Sequence, residues 1–255
     1  MQIGAQLYTL RTFCQNGRDF GRTLARVRGM GYTCVQLSAL GPMEPKRIKA
    51  ICDDNGLKIV LTHNSEADFL HHTGKLIEKH LLYGCKYIGL GSMPERYRNA
   101  DFLPYFAEDF APAAEKIHSA GMRMMYHNHA FEFERMPDGK TMMDHLLAGI
   151  PAEWMGVTAD TYWLHYAGID VCQWLAGHAE RIPCVHLKDY TIHGFDIRMA
   201  AVGQGNLDFA RILDLLQRNG VTEYALVEQD DCYGASTFDC LQKSFEYIQK
   251  ISAMG

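Results

Sequence analysis

The sequence predicts an α/β protein, a single (β/α)₈ TIM barrel, and three observations point there. Eight short apolar runs recur along the 255 residues. Segments with the three-to-four-residue apolar spacing of amphipathic helices separate them. A glycine stands repeatedly where a helical segment ends and the next run begins. Eight such units in 255 residues leave about 32 residues each, a suitable length for strand, turn and helix.

The expected strands are residues 3–10, 33–40, 58–64, 86–92, 123–129, 155–163, 184–190 and 224–230. Such apolar runs alternating with helices suit a parallel sheet covered on its outer face. After the first run, Phe20, Leu24, Val27 and Met30 form one helical face, closed by Gly31-Tyr32. After the second, Ile48 and Ile51 share a face and Gly56-Leu57 stops the helix. Gly84-Cys85 and Gly121-Met122 mark the same step before the fourth and fifth runs. Before the eighth, Phe209, Ile212, Leu215 and Leu216 lead to Asn219-Gly220. An open doubly wound sheet is the competing arrangement, but eight consecutive units favour closure. No Pro-, Gly- or Ser-rich linker divides the chain, so one domain is expected over residues 1–255.

Composition narrows the function. With 47% hydrophobic and 22% charged residues, the chain can bury a large core and is not a disordered one. A net charge of −5 without a basic cluster argues against a nucleic-acid partner. Eight cysteines are scattered without a CxxC pair, several within apolar runs, as expected of reduced thiols in a cytoplasmic protein. No run approaches the roughly 18 apolar residues of a membrane span, and the first residues do not read as a secretory signal.

In such a barrel the chemistry belongs at the C-terminal strand ends. Those ends carry Tyr8 and Arg11, Gln36 and Ser38, His63 and Asn64, then Gly91 and Ser92. The second half is far more polar: His127, Asn128, His129 and Glu132; Asp160; His186, Lys188 and Asp189; Glu228, Asp230 and Asp231. Four successive strands thus end in Glu, Asp, His and Glu. Carboxylates and imidazoles at an apolar rim are costly to desolvate unless they are paired or hold a cation. Three carboxylates and one imidazole suit Mn²⁺, Mg²⁺ or Co²⁺, with Zn²⁺ tolerated. Each residue also has a plainer use. Asp160 before Thr161 could cap a helix, His186 could be a hydrogen-bonded core histidine, and Glu228 could pair with Lys188. Alternation places His127 and His129 on one face and Asn128 on the other, but does not assign Glu132. The Gly203-Gln204-Gly205 step lacks a dinucleotide-fingerprint setting and reads as a loop.

The runs Tyr126-His127-Asn128-His129-Ala130-Phe131-Glu132-Phe133, Ala159-Asp160-Thr161-Tyr162-Trp163 with Ala167-Gly168, Val185-His186-Leu187-Lys188-Asp189 and Val202-Gly203-Gln204-Gly205-Asn206-Leu207-Asp208-Phe209 carry a resemblance. With Gly4-Ala5-Gln6-Leu7-Tyr8, they resemble the sugar phosphate isomerase/epimerase members of the xylose-isomerase-like barrel superfamily. The resemblance implies one divalent metal on Glu132, Asp160, His186 and Glu228, with Glu132 and Glu228 as the acid/base pair flanking the substrate. It differs from ketose 3-epimerases where they carry a substrate-binding His three residues after the ligand Asp. Trp163 stands there, and ketohexose specificity does not carry over. No phosphate cradle is evident.

The expected function is a metal-dependent sugar isomerase or epimerase. A metal-stabilised enolate forms when one carboxylate removes the proton beside a carbonyl, and reprotonation sets the product. Elimination from the same enolate, by a lyase or dehydratase on a keto-sugar or keto-inositol, is the rival reading. His63, His129, Lys188, Trp163 and Tyr8 are the expected contacts to a small carbohydrate, with Mn²⁺ the first candidate ion. Association as a homodimer is expected by analogy only.

Overall fold

A computed structural model describes residues 1–253. The barrel strands are β1 (Gln2–Gln6), β2 (Cys34–Leu37), β3 (Lys58–Asn64), β4 (Tyr87–Leu90), β5 (Arg123–His127), β6 (Met155–Asp160), β7 (Cys184–Leu187) and, after a hairpin of β8 (Asp189–His193) and β9 (Asp196–Ala200), β10 (Tyr224–Val227). They close in the order β1-β10-β7-β6-β5-β4-β3-β2, with every neighbouring pair parallel. This is the eight-stranded closed barrel the alternation predicted.

The covering helices are α1 (Gly17–Gly29), α2 (Pro45–Asp54), α3 (Glu66–His71), α4 (Thr73–Tyr83), α5 (Leu103–Ser119), α6 (Met142–Gly149), α7 (Thr161–Tyr166), α8 (Val171–Gly177), α9 (Phe209–Asn219) and α10 (Thr237–Ser252). In α1, Phe20, Leu24 and Val27 are buried on the expected face, and the Asn16 side chain caps the first turn. Helices α4 and α9 end at Gly84 (φ 62°) and Gly220 (φ 68°), left-handed positions that an L side chain resists. Inside the barrel, Cys34, Val60, Leu61, Tyr87, Met125, Cys184, Tyr224 and Leu226 pack as one apolar cluster. Gly4 lets β1 approach it: a Cβ there would stand 2.7 Å from both Cys34 Sγ and Leu226 Cδ2.

Several strands stop short of the apolar runs. The first ends at Gln6 rather than Leu10, because a 3₁₀ helix over Leu7–Phe13 begins with the Gln6 side chain accepting from the Tyr8 N–H. The sixth ends at Asp160 rather than Trp163, since Asp160 caps α7. The run 184–190 is not one strand, and this corrects the sequence reading. The ladder ends at Leu187, and Asp189 opens the antiparallel β8–β9 hairpin, which apolar periodicity did not announce. The cause is the Asp189 carboxylate. It accepts N–H groups from Tyr190 (2.8 Å), Gly203 (3.0 Å), Gly205 (3.0 Å) and Leu207 (3.2 Å). These bonds fold the chain back and close the base of the excursion. Gly203-Gln204-Gly205 is therefore a loop, as expected, and its amides serve this carboxylate.

Candidate metal centre at the barrel mouth

Asp160 ends β6 and does two things with its two oxygens. Oδ1 accepts the N–H groups of Tyr162 (2.9 Å) and Trp163 (3.1 Å), capping α7. Oδ2 turns into the barrel, toward Lys188 Nζ at 3.0 Å and His127 Nε2 at 3.3 Å. The helix-cap reading and the site reading of Asp160 are both true, one for each oxygen. Asn128, on the opposite face from His127, accepts the Asp160 N–H with its Oδ1 (2.9 Å) and ties β5 to β6.

His186 faces the same space from β7. Its Nε2 meets Gln36 Oε1 at 2.7 Å, and an amide oxygen only accepts, so the ring proton sits on Nε2. Nδ1 is then bare. It lies 3.0 Å from Glu228 Oε2 and 3.9 Å from Asp160 Oδ2 and is buried without a hydrogen-bond partner, while Glu228 Oε2 has the Lys188 ammonium at 2.9 Å. With its proton on Nε2, His186 presents a lone pair to the Glu228 oxygen 3.0 Å away, an arrangement that a bound cation would relieve. His127 is arranged alike: Nδ1 donates to the Gly91 carbonyl (2.9 Å), which turns Nε2 inward. Ligand atoms of His127, Asp160, His186 and Glu228 all lie within 4.8 Å of one another, and all four residues are buried. This set, with its oriented imidazoles and the unpartnered His186 Nδ1, fits a metal ion.

Lys188 supplies the fixed cation of the site. Its side chain is 1% exposed, and Nζ lies 3.0, 2.9 and 3.0 Å from oxygens of Asp160, Glu228 and Asp230. Burial alone would favour neutral amine, but the three carboxylates outweigh it and hold the lysine well above its usual pKa. In return Lys188 and then His186 overcome the burial of Glu228 and push its pKa well down. Lys188 and His127 likewise hold Asp160 below its usual value against burial. Asp230 is the carboxylate that yields: burial and the neighbouring Glu228 raise it to about 6 despite Lys188. His63, pressed by burial and by His127 and His186, has its pKa lowered. His129 is lowered to about 3 by burial and His127, so it is neutral at pH 7.

A cavity of about 240 Å³ opens on this set, lined by Gln6, Tyr8, His63, His127, His129, Lys188, Glu228 and Asp230 among others. Tyr8 lies under the Arg11 guanidinium, 4.2 Å from ring centroid to Cζ, and Arg11 is held by the Asp230 carbonyl. Trp163 flanks His129, with ring centroids 5.4 Å apart, and its Nε1 is buried without a partner. His63 Nε2 and His129 Nδ1 are also buried and unpartnered.

Of the four ligands the resemblance implied, Asp160, His186 and Glu228 meet here, and the fourth member is His127. Glu132 is fully buried behind His129. Its Oε1 accepts the Tyr126 hydroxyl (2.6 Å) and its Oε2 the His129 N–H (2.8 Å), while Oε1 stands 3.9 Å from His129 Nδ1. Burial raises its pKa despite these donors. The sequence placed His127 and Asp230 at strand ends but gave neither a role. Gln6, whose Nε2 donates to Glu228 Oε1 at 2.7 Å, and Gln36 carried one available signal, an amide inside an apolar strand.

Fold and site together define a class: a parallel eight-stranded barrel with a buried His/Asp/Glu cluster at the mouth that can hold a metal ion. The xylose isomerase-like TIM barrel family matches residues 24–250, and the chain belongs to that family. Two solved structures called sugar phosphate isomerase/epimerase, both from Parabacteroides distasonis ATCC 8503, are similar to it. Their TM-scores are 0.82 and 0.81 at 24% and 23% identity, covering 97% and 98% of this chain and 93% and 98% of theirs. An L-ribulose 3-epimerase superposes with TM-score 0.73 at 17% identity, over 100% of this chain and 95% of its own. A probable 3-DHS dehydratase from Bacillus anthracis does so with TM-score 0.73 at 12% identity, over 98% of this chain and 99% of its own. At these identities the likeness is one of fold. No curated protein matches the chain. No helix among the described residues is long and apolar enough to cross a membrane.

Proposed function

We propose that this chain is a divalent-metal-dependent isomerase or epimerase of a small, unphosphorylated carbohydrate or a close derivative, moving a proton on the carbon beside a carbonyl. The single observation that carries the reading is the buried cluster of His127, Asp160, His186 and Glu228, whose candidate ligand atoms all lie within 4.8 Å of one another. His127, Asp160, His186 and Glu228 would hold the ion. Two imidazoles with two carboxylates suit Mn²⁺, Co²⁺ or Zn²⁺ better than Mg²⁺, and Mn²⁺ is the first candidate. When bound, the ion supplies Lewis acidity toward a carbonyl oxygen.

The chain supplies the rest. Glu228, anchored by Gln6 and with a depressed pKa, is ionised and stands at the cavity wall as the proton acceptor on the β10 side. On the β5 side, His129 faces the cavity with an unpartnered Nδ1, and Glu132 stands behind it as the second carboxyl of the proton relay. His63, Tyr8 and Trp163 offer polar atoms or faces for hydroxyl groups and ring carbons. Among the described residues, the only Lys or Arg lining the cavity is Lys188, already shared among three carboxylates, which argues for a substrate without phosphate. Elimination is the second reading, favoured by Asp230: an acid with a pKa of about 6 on the cavity wall can protonate a departing hydroxyl. Eight free thiols, most of them buried, suit a reducing compartment such as the cytoplasm.

The deciding experiment incubates the Mn²⁺-loaded protein in D₂O with a panel of unphosphorylated ketoses and aldoses and follows each by NMR. Deuterium at the carbon beside the carbonyl, with an epimer or isomer as product, is the expected result. An unsaturated or deoxy product shifts the assignment to elimination. Absence of exchange from every sugar, with metal bound, overturns the proposal.

A further inference from the structure

Lys188 is an unusual neighbour for a metal site. Its Nζ contacts Asp160 Oδ2 and Glu228 Oε2 at 3.0 and 2.9 Å, and both residues belong to the candidate ligand set. The ammonium is therefore in the cluster rather than beside it. Its third partner, Asp230, is the most exposed of the three carboxylates and lines the cavity. Three carboxylates around one ammonium leave a formal surplus of two negative charges, the charge one divalent ion would offset. An ammonium and a divalent ion drawing on the same two oxygens repel each other strongly at such separations.

We propose that Lys188 is a tethered cation that occupies the metal's place, keeps the ligand carboxylates assembled before the ion arrives, and withdraws toward Asp230 when it enters. The inference rests on the metal-site reading above and adds a function to it: Lys188 sets how tightly a divalent ion is retained. In the metal-free chain it neutralises buried carboxylates that would otherwise repel. In the loaded chain the same charge works against the ion. A purely structural lysine lacks this two-sided behaviour.

The test is isothermal titration of the full-length chain with Mn²⁺, together with thermal melting in chelator, for wild type, Lys188→Met and Lys188→Arg. Lys188→Met is expected to bind Mn²⁺ at least about tenfold more tightly than wild type and to melt lower without metal. Lys188→Arg, which keeps the charge, is expected to show no gain. Affinity falling together with stability in Lys188→Met would mean a structural lysine and overturn the inference, while wild-type binding would leave the metal reading standing. Binding by Lys188→Met alone supports the competition and removes the ion from the wild-type reaction. Binding by neither variant nor wild type overturns both readings. Should Lys188→Met fail to fold, the wild-type crystal structure with Mn²⁺ decides. Nζ beyond hydrogen-bond distance of Glu228 supports displacement, and Nζ still on both Asp160 and Glu228 overturns it.

Discussion

The two ends of the barrel are built from similar residue types and obey opposite rules. At the N-terminal end, polar groups are closed on one another. Lys58 Nζ meets the Tyr224 hydroxyl at 2.9 Å, and Glu223 Oε1 accepts from the Tyr87 hydroxyl at 2.8 Å and from Lys86 at 3.1 Å. At the C-terminal end, Gln36, His63, His129, Trp163, His186 and Asp230 each keep a buried polar atom without a hydrogen-bond partner. Imidazoles show a parallel contrast between the helix layer and the barrel mouth. His80, on α4 against β3, is fully buried with both nitrogens engaged, by Thr62 Oγ1 and the Leu76 carbonyl, each at 2.7 Å. His186 is as enclosed and His63 and His129 are half-buried, yet each has one buried nitrogen without a partner. Leaving a buried polar atom unmade costs on the order of 1–3 kcal/mol. A fold that bears this cost repeatedly at one end and closes nearly all its polar groups at the other has reserved the open end for ligands.

The largest expected effect follows from breaking the open end at its base. Glu228→Gln is expected to lower kcat by about 10³-fold or more and to weaken Mn²⁺ retention, read by elemental analysis beside steady-state rates. Turnover near wild type would remove Glu228 from the reaction. Glu132→Gln is expected to lose less, about 10²-fold in kcat, with the metal content unchanged, since Glu132 lies outside the four-residue cluster. Loss of metal in this variant would restore Glu132 as a ligand.

The closed class of histidine gives a pH signature. Burial lowers the His80 pKa from 6.5 to about 4, so the folded chain binds its proton less tightly than the unfolded one. The stabilisation is present above pH 6.5 and is lost progressively as pH falls toward 4, amounting to about 3 kcal/mol over the window. Urea unfolding at several pH values should show this slope in wild type and a flatter one in His80→Gln; equal slopes would refute it. Gln36→Met removes the acceptor that fixes the His186 tautomer. It should weaken Mn²⁺ binding about 10–100-fold while leaving the fold intact, as measured by calorimetry and circular dichroism. The smallest effect belongs to the closed end. Tyr224→Phe should cost about 1 kcal/mol of stability and leave kcat unaltered, and a change in rate there would blur the division between the two ends.

Much of this was legible in the residues. Amphipathic spacing and the glycines at Gly84 and Gly220 gave the helices, and eight apolar runs gave the barrel. Asp160, His186, Lys188 and Glu228 were legible because charged groups in apolar strands stand out. What was hidden depended on where side chains turn after the strand ends. Glu132, three residues beyond its neighbour His129, folds back onto Tyr126 and the His129 amide, a choice made by loop geometry that no periodicity encodes. Asp189 was hidden for the same reason. It reads like its neighbour Lys188, but its carboxylate points to four backbone amides instead of the cavity.

That single carboxylate has a consequence for how the protein can vary. By gathering amides from Tyr190, Gly203, Gly205 and Leu207, Asp189 joins the two ends of the stretch between β7 and α9 at one point. The hairpin beyond the join leans on the rim through Tyr190, stacked on His165 with centroids 4.0 Å apart, and through the Met199 N–H, which donates to the Tyr233 hydroxyl. Phe195 at its tip is 107% exposed, and neither β8 nor β9 belongs to the barrel sheet. The stretch could be shortened, lengthened or exchanged between relatives without shifting Lys188 or His186, as long as the aspartate and the glycines that answer it are retained. Asp189 thus acts as a splice point, where the barrel can trade one rim for another while its chemistry stays in register.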